Sequence, residues 1–147
     1  MSGLRREVLV ARILIADDDA HTARVMSMWL NRYGHETLCA ANGKDALDLA
    51  ITCRVDLIIS DMNMPQLDGL GFAKAVREQL GSQIPMLVLS ARCDQQALVQ
   101  SLASYGVSVY PKPFLPSHLV AEINRLLAAS IRTPASVPAL PTEVRAT

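Results

Sequence analysis

Short apolar runs alternate along this chain with stretches in which apolar residues recur every three or four positions. The short runs, rich in Ile, Leu and Val, are typical of buried β-strands, and the spacing of three and four is typical of amphipathic helices. The predicted strands cover residues 12–16, 36–41, 56–60, 85–90 and 107–110. The predicted helices cover residues 20–33, 44–53, 67–80, 95–104 and 117–130, so that one helix follows each strand.

Repeated strand–helix units with nearly continuous apolar strands predict an α/β fold, in which helices cover both faces of a parallel sheet. In such sheets the ligand-binding residues lie beyond the carboxyl ends of the strands. The segment 131–147 has a different pattern, with three prolines among small residues, and is predicted to be a flexible tail. We therefore expect a lead-in at residues 1–11, one domain at 12–130 and the Pro-rich tail at 131–147.

Composition narrows the classes of function without choosing one. Half of the 147 residues are apolar, which is enough for a full core, and the formal net charge is zero. A neutral chain gives no electrostatic reason to expect nucleic acid or an anionic membrane as a partner. No apolar run approaches the roughly 20 residues that a membrane span requires. We expect a cytoplasmic protein that contacts neither nucleic acid nor membrane directly.

Two of the strongest predicted strands end in carboxylates. The first is followed by Asp17 and Asp18, and the third is followed by Asp61. Carboxylates crowded at one edge of a sheet repel one another unless a hard cation lies among them. Ser90 ends the fourth predicted strand and Lys112 follows the fifth, so both belong to the same edge. Each residue alone has an ordinary alternative as a helix cap or a surface residue, but their shared placement predicts a magnesium-type site.

Four motifs at these positions make the chain resemble the receiver domain of bacterial two-component response regulators. They are Ala-Asp-Asp-Asp at 16–19, Asp-Met-Asn-Met-Pro-Gln-Leu-Asp-Gly at 61–69, Ser-Ala-Arg at 90–92 and Lys-Pro-Phe at 112–114. The second motif is highly specific, and the resemblance extends from about residue 12 to about residue 129. It implies a flavodoxin-like, doubly wound (βα)5 fold whose five parallel strands have the order 2-1-3-4-5.

The resemblance also implies a role for each site residue. Asp61 would accept a phosphoryl group from a histidine kinase or a histidine phosphotransfer protein, and Lys112 and Ser90 would contact the phosphoryl oxygens. Mg²⁺, or Mn²⁺ in its place, would be held by Asp17, Asp18 and Asp61, directly or through water, and by the backbone carbonyl of Asn63. The side chains of Asn63 and Arg92 would set the lifetime of the phosphorylated state. The Lys112-Pro113 bond is expected to be cis.

In the family, phosphorylation is read out through Ser90 and an aromatic residue of the fifth strand. Here Val109 has the position where Tyr or Phe is more common, and Tyr110 comes one residue later. Side chains alternate along a strand, so Tyr110 is expected on the opposite face unless a bulge at Pro111 turns it back. The residue pattern leaves both alternatives open. The face formed by residues 95–104, 107–110 and 117–130 is the expected docking surface for a downstream protein.

Three classes of function are compatible with these residues. The first is a signalling phosphoacceptor that is not an enzyme beyond its own phosphorylation and dephosphorylation. The second is a magnesium-dependent phosphatase using Asp17 and Asp19 as an Asp-x-Asp motif, which the absence of a substrate-binding cap disfavours. The third is a receiver that binds partners without being phosphorylated. We expect the first, as a stand-alone receiver that is monomeric or dimerises on phosphorylation; a receiver cut from a longer regulator is the alternative.

Three further residues are interpreted from their positions in loops and at helix ends. His35 and His118 are predicted at loop and helix-cap positions, without hydrogen-bond partners. Asp68 is predicted to be the N-terminal charge of the third helix and not a metal ligand.

Overall fold

The computed structural model describes residues 10–81, 83–91 and 96–132, and the side chains of this range except those of residues 131 and 132. Five strands alternate with five helices in these ranges. In chain order they are β1 (Arg12–Ala16), α1 (Ala20–Arg32), β2 (Glu36–Ala40), α2 (Gly43–Thr52), β3 (Leu57–Asp61), α3 (Gly69–Leu80), β4 (Met86–Ser90), α4 (Gln96–Ala103), β5 (Val107–Pro111) and α5 (Pro116–Arg132). Most of the predicted lead-in and tail, and also Arg92, lie outside the described residues.

The five strands form one parallel sheet with the order β2-β1-β3-β4-β5. The predicted α/β class and the doubly wound strand order are therefore confirmed. The central strands β3 and β4 are buried along their whole length, as their continuous apolar sequences require. The edge strands β2 and β5 are only partly buried.

Successive residues of β1, β3 and β4 contribute alternately to two separate apolar clusters, one on each face of the sheet. Ile13 and Ile15 of β1 pack with apolar residues of α1 and α5. Leu14 and Ala16 pack with apolar residues of α2, α3 and α4. Since side chains alternate along a strand, a strand that is apolar at every position can fill both clusters. This arrangement leaves the carboxyl edge of the sheet, where the strands end, uncovered by helices.

The observed helices and strands differ from the predicted ones by at most two residues at each end, and β1 has the predicted bounds. The largest shift at a helix start is in α3, which begins at Gly69 instead of residue 67 because Asp68 is its N-cap. The Asp68 side chain accepts a hydrogen bond from the Gly71 N–H at 2.8 Å. An N-cap residue has extended backbone angles, so the helix cannot include it. The prediction that Asp68 serves the start of this helix is confirmed.

His35 lies in the loop before β2 as predicted, but the expectation that it has no hydrogen-bond partner is wrong. Only 4% of His35 is exposed, and its Nδ1 accepts a hydrogen bond from the Ala11 N–H at 3.1 Å. Burial lowers the pKa of the imidazole below its usual 6.5, so the neutral form is favoured in the folded protein. His35 therefore joins the start of β2 to the chain entering β1, a contact between residues that are distant in sequence.

We predict that His35 makes the fold less stable in mild acid. Because its pKa is lower in the folded than in the unfolded state, its contribution is fully present above pH 6.5 and is lost as the pH falls through the folded-state pKa. Urea unfolding at pH 7.5 and 5.5 should show a loss of up to about 1 kcal/mol from this group. The loss should shrink in His35→Asn, whose side-chain oxygen can accept the same hydrogen bond, and persist in the control His118→Asn, which changes an exposed histidine. Equal losses in both variants would contradict the prediction.

Candidate functional site

The parallel sheet brings the predicted site residues to its carboxyl edge. Asp17 and Asp18 follow β1, Asp61 is the last residue of β3, Ser90 is the last residue of β4, and Lys112 follows β5. Carboxylate oxygens of the three aspartates all lie within 4.8 Å of one another. Three like charges at this separation repel strongly, so the arrangement favours a cation or a proton among them.

Asp17 is the most deeply buried of the three aspartates. Only 3% of the residue is exposed, and its Oδ1 accepts a hydrogen bond from the Asp19 N–H at 2.9 Å. Its other oxygen, Oδ2, is buried and has no hydrogen-bond partner in the described part of the chain. Burial raises the pKa of this carboxyl above its usual 3.8, and the negative charge of Asp61 raises it further. A buried acceptor without a donor is costly, so this oxygen is suited to bind an added ligand.

Asp61 lies between the acidic pair and a cation from the protein itself. The Lys112 ammonium donates a short hydrogen bond to Oδ1 of Asp61 and forms an ion pair with it. The Asp61 side chain is 10% exposed and the Lys112 side chain 31%. A carboxylate in this position is held in place and remains reachable from solvent. Among the three aspartates it is the one that forms an ion pair within the described ranges, and this cation can stabilise an incoming anionic group.

Asp19 does not belong to this cluster, although it directly follows Asp17 and Asp18. Its side chain is the N-cap of α1 and accepts hydrogen bonds from the His21 N–H at 3.1 Å and the Thr22 hydroxyl at 2.8 Å. These bonds lower the pKa of the Asp19 carboxyl, and the Thr22 hydroxyl has the largest effect. Asp19 is therefore occupied by the helix start and is not directed at the site.

The loop between β3 and α3 passes close over Asp61. A Cβ on Gly69 would lie 2.9 Å from the Asp61 carbonyl oxygen and from the Met62 Cα, so only glycine permits this approach. Met64 is buried in the cluster under α3, which anchors the loop. The side chain of Asn63 is exposed beside Asp61. The metal-binding role of its carbonyl and the lifetime role of its side chain stay predictions.

The structure describes Ser90, the last residue of β4, but only the first residue of the loop that follows it. Ser90 is buried at the end of β4, and its carbonyl accepts a hydrogen bond from the Lys112 N–H at 3.0 Å. This bond places the ends of β4 and β5 side by side at the site. Arg92 lies outside the described residues, so its predicted effect on lifetime stays a prediction.

The direction of Tyr110, which the sequence leaves open, follows from the register of β5. The pairing of β4 with β5 is regular, with Val109 opposite Val88 and Tyr110 opposite Leu89, and it continues to Pro111. Val109 packs with the cluster on the α4 side, whereas Tyr110 packs with the cluster on the α1 and α5 side. A bulge that turns Tyr110 back is therefore not present in this pairing. The predicted Lys112-Pro113 cis bond is confirmed.

A cleft beside Lys112 was not predicted from the sequence. Its volume is about 560 Å³, and α1, the start of the loop after β4 and the loop after β5 line it. Trp29 of α1 and Phe114 lie in its wall with their ring centroids 6.3 Å apart at an interplanar angle of 80°. Trp29 is partly buried on the helical stripe of α1 and, from sequence, looks like any other core residue.

The chain is similar in sequence to a known protein family and to several of its members. A family model described as the response regulator receiver domain matches residues 13–124. The response regulator MprA of Mycolicibacterium vanbaalenii is 35% identical over 116 residues, which cover 79% of this chain and 50% of the relative. The DNA-binding response regulator MtrA of Mycobacterium leprae is 31% identical over 126 residues, which cover 86% of this chain and 55% of the relative.

Solved structures show the same fold at similar identity. The chemotaxis response regulator CheY4 of Vibrio cholerae has a TM-score of 0.73 at 34% identity, with 80% of this chain and 98% of that chain covered. The receiver domain of the sensor histidine kinase PA1611 of Pseudomonas aeruginosa has a TM-score of 0.73 at 26% identity, with the same coverage. That receiver domain carries a magnesium ion coordinated in its active-site cleft.

The lengths and names of the relatives bear on two expectations, that nucleic acid is not a partner and that the receiver stands alone. This chain spans about half the length of the curated relatives it matches. One of those relatives is named as DNA-binding, so the expectation that nucleic acid is not involved has no support from them. The expectation of a stand-alone receiver likewise stays a prediction.

Proposed function

Because this chain belongs to the response regulator receiver domain family, we propose that Asp61 accepts a phosphoryl group from a histidine kinase or a histidine phosphotransfer protein. The observation that carries this proposal is the pairing of Asp61 with Lys112, in a cluster where oxygens of Asp17 and Asp18 lie within 4.8 Å. In this arrangement one carboxylate has a cation beside it while two others are available to hold a metal ion.

The transfer needs little beyond positioning, because phosphoryl transfer passes through a loose transition state. A carboxylate oxygen of Asp61 forms the new O–P bond while the P–N bond of the phosphohistidine breaks and the imidazole nitrogen keeps the bonding pair. Lys112 pairs with a phosphoryl oxygen as a mobile positive charge. The hydroxyl of Ser90, buried at the end of the neighbouring strand, donates to another phosphoryl oxygen.

The residues present fit a bound Mg²⁺ ion. Asp17, Asp18 and Asp61 offer the oxygen ligands that this ion prefers, and the buried Asp17 Oδ2 has no hydrogen-bond partner in the described chain. The backbone carbonyl of Asn63 is the fourth proposed ligand, and Mn²⁺ is an acceptable substitute. When bound, the ion would offset the carboxylate repulsion and attract the anionic phosphoryl group. The magnesium ion in the PA1611 receiver domain supports this proposal.

The position of Asp19 argues against the phosphatase alternative. An Asp-x-Asp phosphatase needs the second aspartate free to exchange protons with the leaving group. Here the Asp19 side chain caps α1 through its bonds to the His21 N–H and the Thr22 hydroxyl. We therefore propose a signalling protein whose chemistry is limited to its own phosphorylation and dephosphorylation.

The docking surface, the oligomeric state and the cellular location of the protein are also proposals. We propose that phosphorylation alters the surface formed by α4, β5 and α5, which then binds a downstream protein, with the receiver monomeric or dimeric according to its phosphorylation. Ser90, Val109 and Tyr110 would take part in this change, and Asn63 and Arg92 would tune its lifetime. None of the described helices combines the length and the apolar character that a membrane span needs. The setting that we propose is the cytoplasm.

The proposed function is tested by intact-protein mass spectrometry after incubation with acetyl phosphate. We expect one added phosphoryl group per chain with Mg²⁺ present and none with excess EDTA. Hydroxylamine should release the group, because it cleaves acyl phosphates and leaves phosphoesters intact. Steady hydrolysis of a small phosphoester without covalent labelling would favour a phosphatase, and the absence of labelling would favour a receiver that only binds.

A further inference from the structure

The loop that carries Lys112 is held by aromatic rings on the face of the sheet opposite α4. Phe114 contacts Trp29 of α1, and it also contacts Tyr110 of β5 at a centroid distance of 6.3 Å and an interplanar angle of 63°. Both pairs have the edge-to-face geometry that aromatic rings favour. Phe114 is thus the central ring of a row, which we call the aromatic row (Trp29, Phe114 and Tyr110).

Apart from its ion pair with Asp61, the Lys112 side chain relies on the position of its backbone. The side chain is 31% exposed, and a lysine stem has four flexible carbons, so packing fixes its ammonium only weakly. The position of the ammonium then follows from where its backbone lies. On one side the Lys112 N–H is bonded to the Ser90 carbonyl, and on the other side Phe114 is inserted between two rings.

The cleft of about 560 Å³ leaves the loop free to move if the rings are lost. Lys112, Pro113 and Phe114 all line this cleft, so open space lies directly beside the loop. Phe114 contacts Trp29 of α1 at this cleft and also packs against the apolar cluster between α1 and α5. A smaller side chain at this position would let the loop shift and would displace the ammonium from Asp61.

We propose that Phe114 is a positioning residue for phosphoryl transfer, which holds Lys112 against Asp61 through its contacts with Trp29 and Tyr110. This inference rests on the proposed function of Asp61, since it concerns the same reaction. In this proposal Trp29, the one tryptophan of the chain, helps to hold Lys112 in place. Tyr110, which comes one residue after the usual aromatic position, does the same.

The test compares rates of phosphorylation by acetyl phosphate and Mg²⁺ among matched variants. Phe114→Leu, which keeps an apolar side chain but loses the ring, should react about 10-fold more slowly, because small misplacements of a reacting group are costly. Phe114→Tyr keeps the ring and should restore a rate close to that of the wild type. Leu115→Ala changes an exposed neighbour in the same loop and should leave the rate unchanged. Trp29→Leu removes a different ring of the row and should slow the reaction as Phe114→Leu does, which keeps the test valid if either variant folds poorly.

A double-mutant comparison separates positioning from general destabilisation. If Phe114 acts through the lysine, Phe114→Leu should have no further effect on the rate in a Lys112→Ala background. An equal slowing in both backgrounds, or no slowing in either, would overturn the inference while the labelled wild type still supports the proposed function. An unlabelled wild type would instead overturn the proposed function, and the inference with it.

Trp29 provides an optical readout of the same contact. Beryllofluoride with Mg²⁺, which mimics the phosphoryl group on a carboxylate, should change the emission of Trp29 in the wild type, because a displaced Lys112 moves Phe114. The change should be lost in Phe114→Leu and kept in Leu115→Ala. A full emission change in Phe114→Leu would overturn the inference.

Discussion

Replacing Asp61 with asparagine is expected to abolish phosphorylation by acetyl phosphate while the fold is retained. Asparagine has nearly the same shape but lacks the anionic oxygen that attacks phosphorus, and loss of a nucleophile lowers rates by at least about 1000-fold. We expect no labelling of Asp17 in its place, because the Asp17 carboxylate is buried, accepts a hydrogen bond from the Asp19 N–H and is not hydrogen-bonded to the Lys112 ammonium. The measurement is the mass of the intact protein with and without acetyl phosphate, and circular dichroism checks the fold.

Asp48→Asn is the matched control for this prediction. It makes the same chemical change at an exposed position on α2, away from the acidic cluster, and should leave labelling unchanged. Persistent labelling of Asp61→Asn at the wild-type rate would show that another residue accepts the phosphoryl group. In that case the pairing of Asp61 with Lys112 would have to be interpreted as structural.

The sheet and its acidic edge could be predicted because both follow from local patterns. The continuous apolar sequences of β3 and β4 predict buried parallel strands, and parallel strands place their carboxyl ends together. Once the strand ends are assigned, the proximity of Asp17, Asp18 and Asp61 needs no further information. The specific motif that begins at Asp61 then restricts the chemistry to one family.

Features that depend on contacts between distant segments could not be predicted in the same way. His35 looks like a loop residue until β1 and β2 are paired, and only then does its ring meet the Ala11 N–H. The direction of Tyr110 required the register of β5, because one inserted residue would reverse it. The contact of Trp29 with Phe114 joins two segments that are far apart in sequence, so no local pattern announces it.

Replacing Asp17 with asparagine is expected to stabilise the metal-free protein and at the same time to remove its response to Mg²⁺. Burial, and then the charge of Asp61, raises the pKa of Asp17 in the folded state. The stability linked to this group is therefore fully present below pH 3.8 and is lost as the pH rises through the folded-state pKa, so the ionised group is destabilising at neutral pH. Neutral asparagine removes the buried negative charge and its repulsion with Asp61, so we expect the free energy of unfolding to rise by about 1 kcal/mol.

Thermal unfolding at pH 7 with EDTA and with Mg²⁺ measures both effects in one series. With EDTA the variant should unfold about 3 °C above the wild type, and Mg²⁺ should raise the unfolding temperature of the wild type alone. Labelling by acetyl phosphate should fall at least about 100-fold, since even residues that merely orient metal ligands cost up to that factor. If the variant is less stable than the wild type in EDTA, or keeps its response to Mg²⁺, Asp17 is not the metal ligand that its buried oxygen, unpaired among the described residues, indicates.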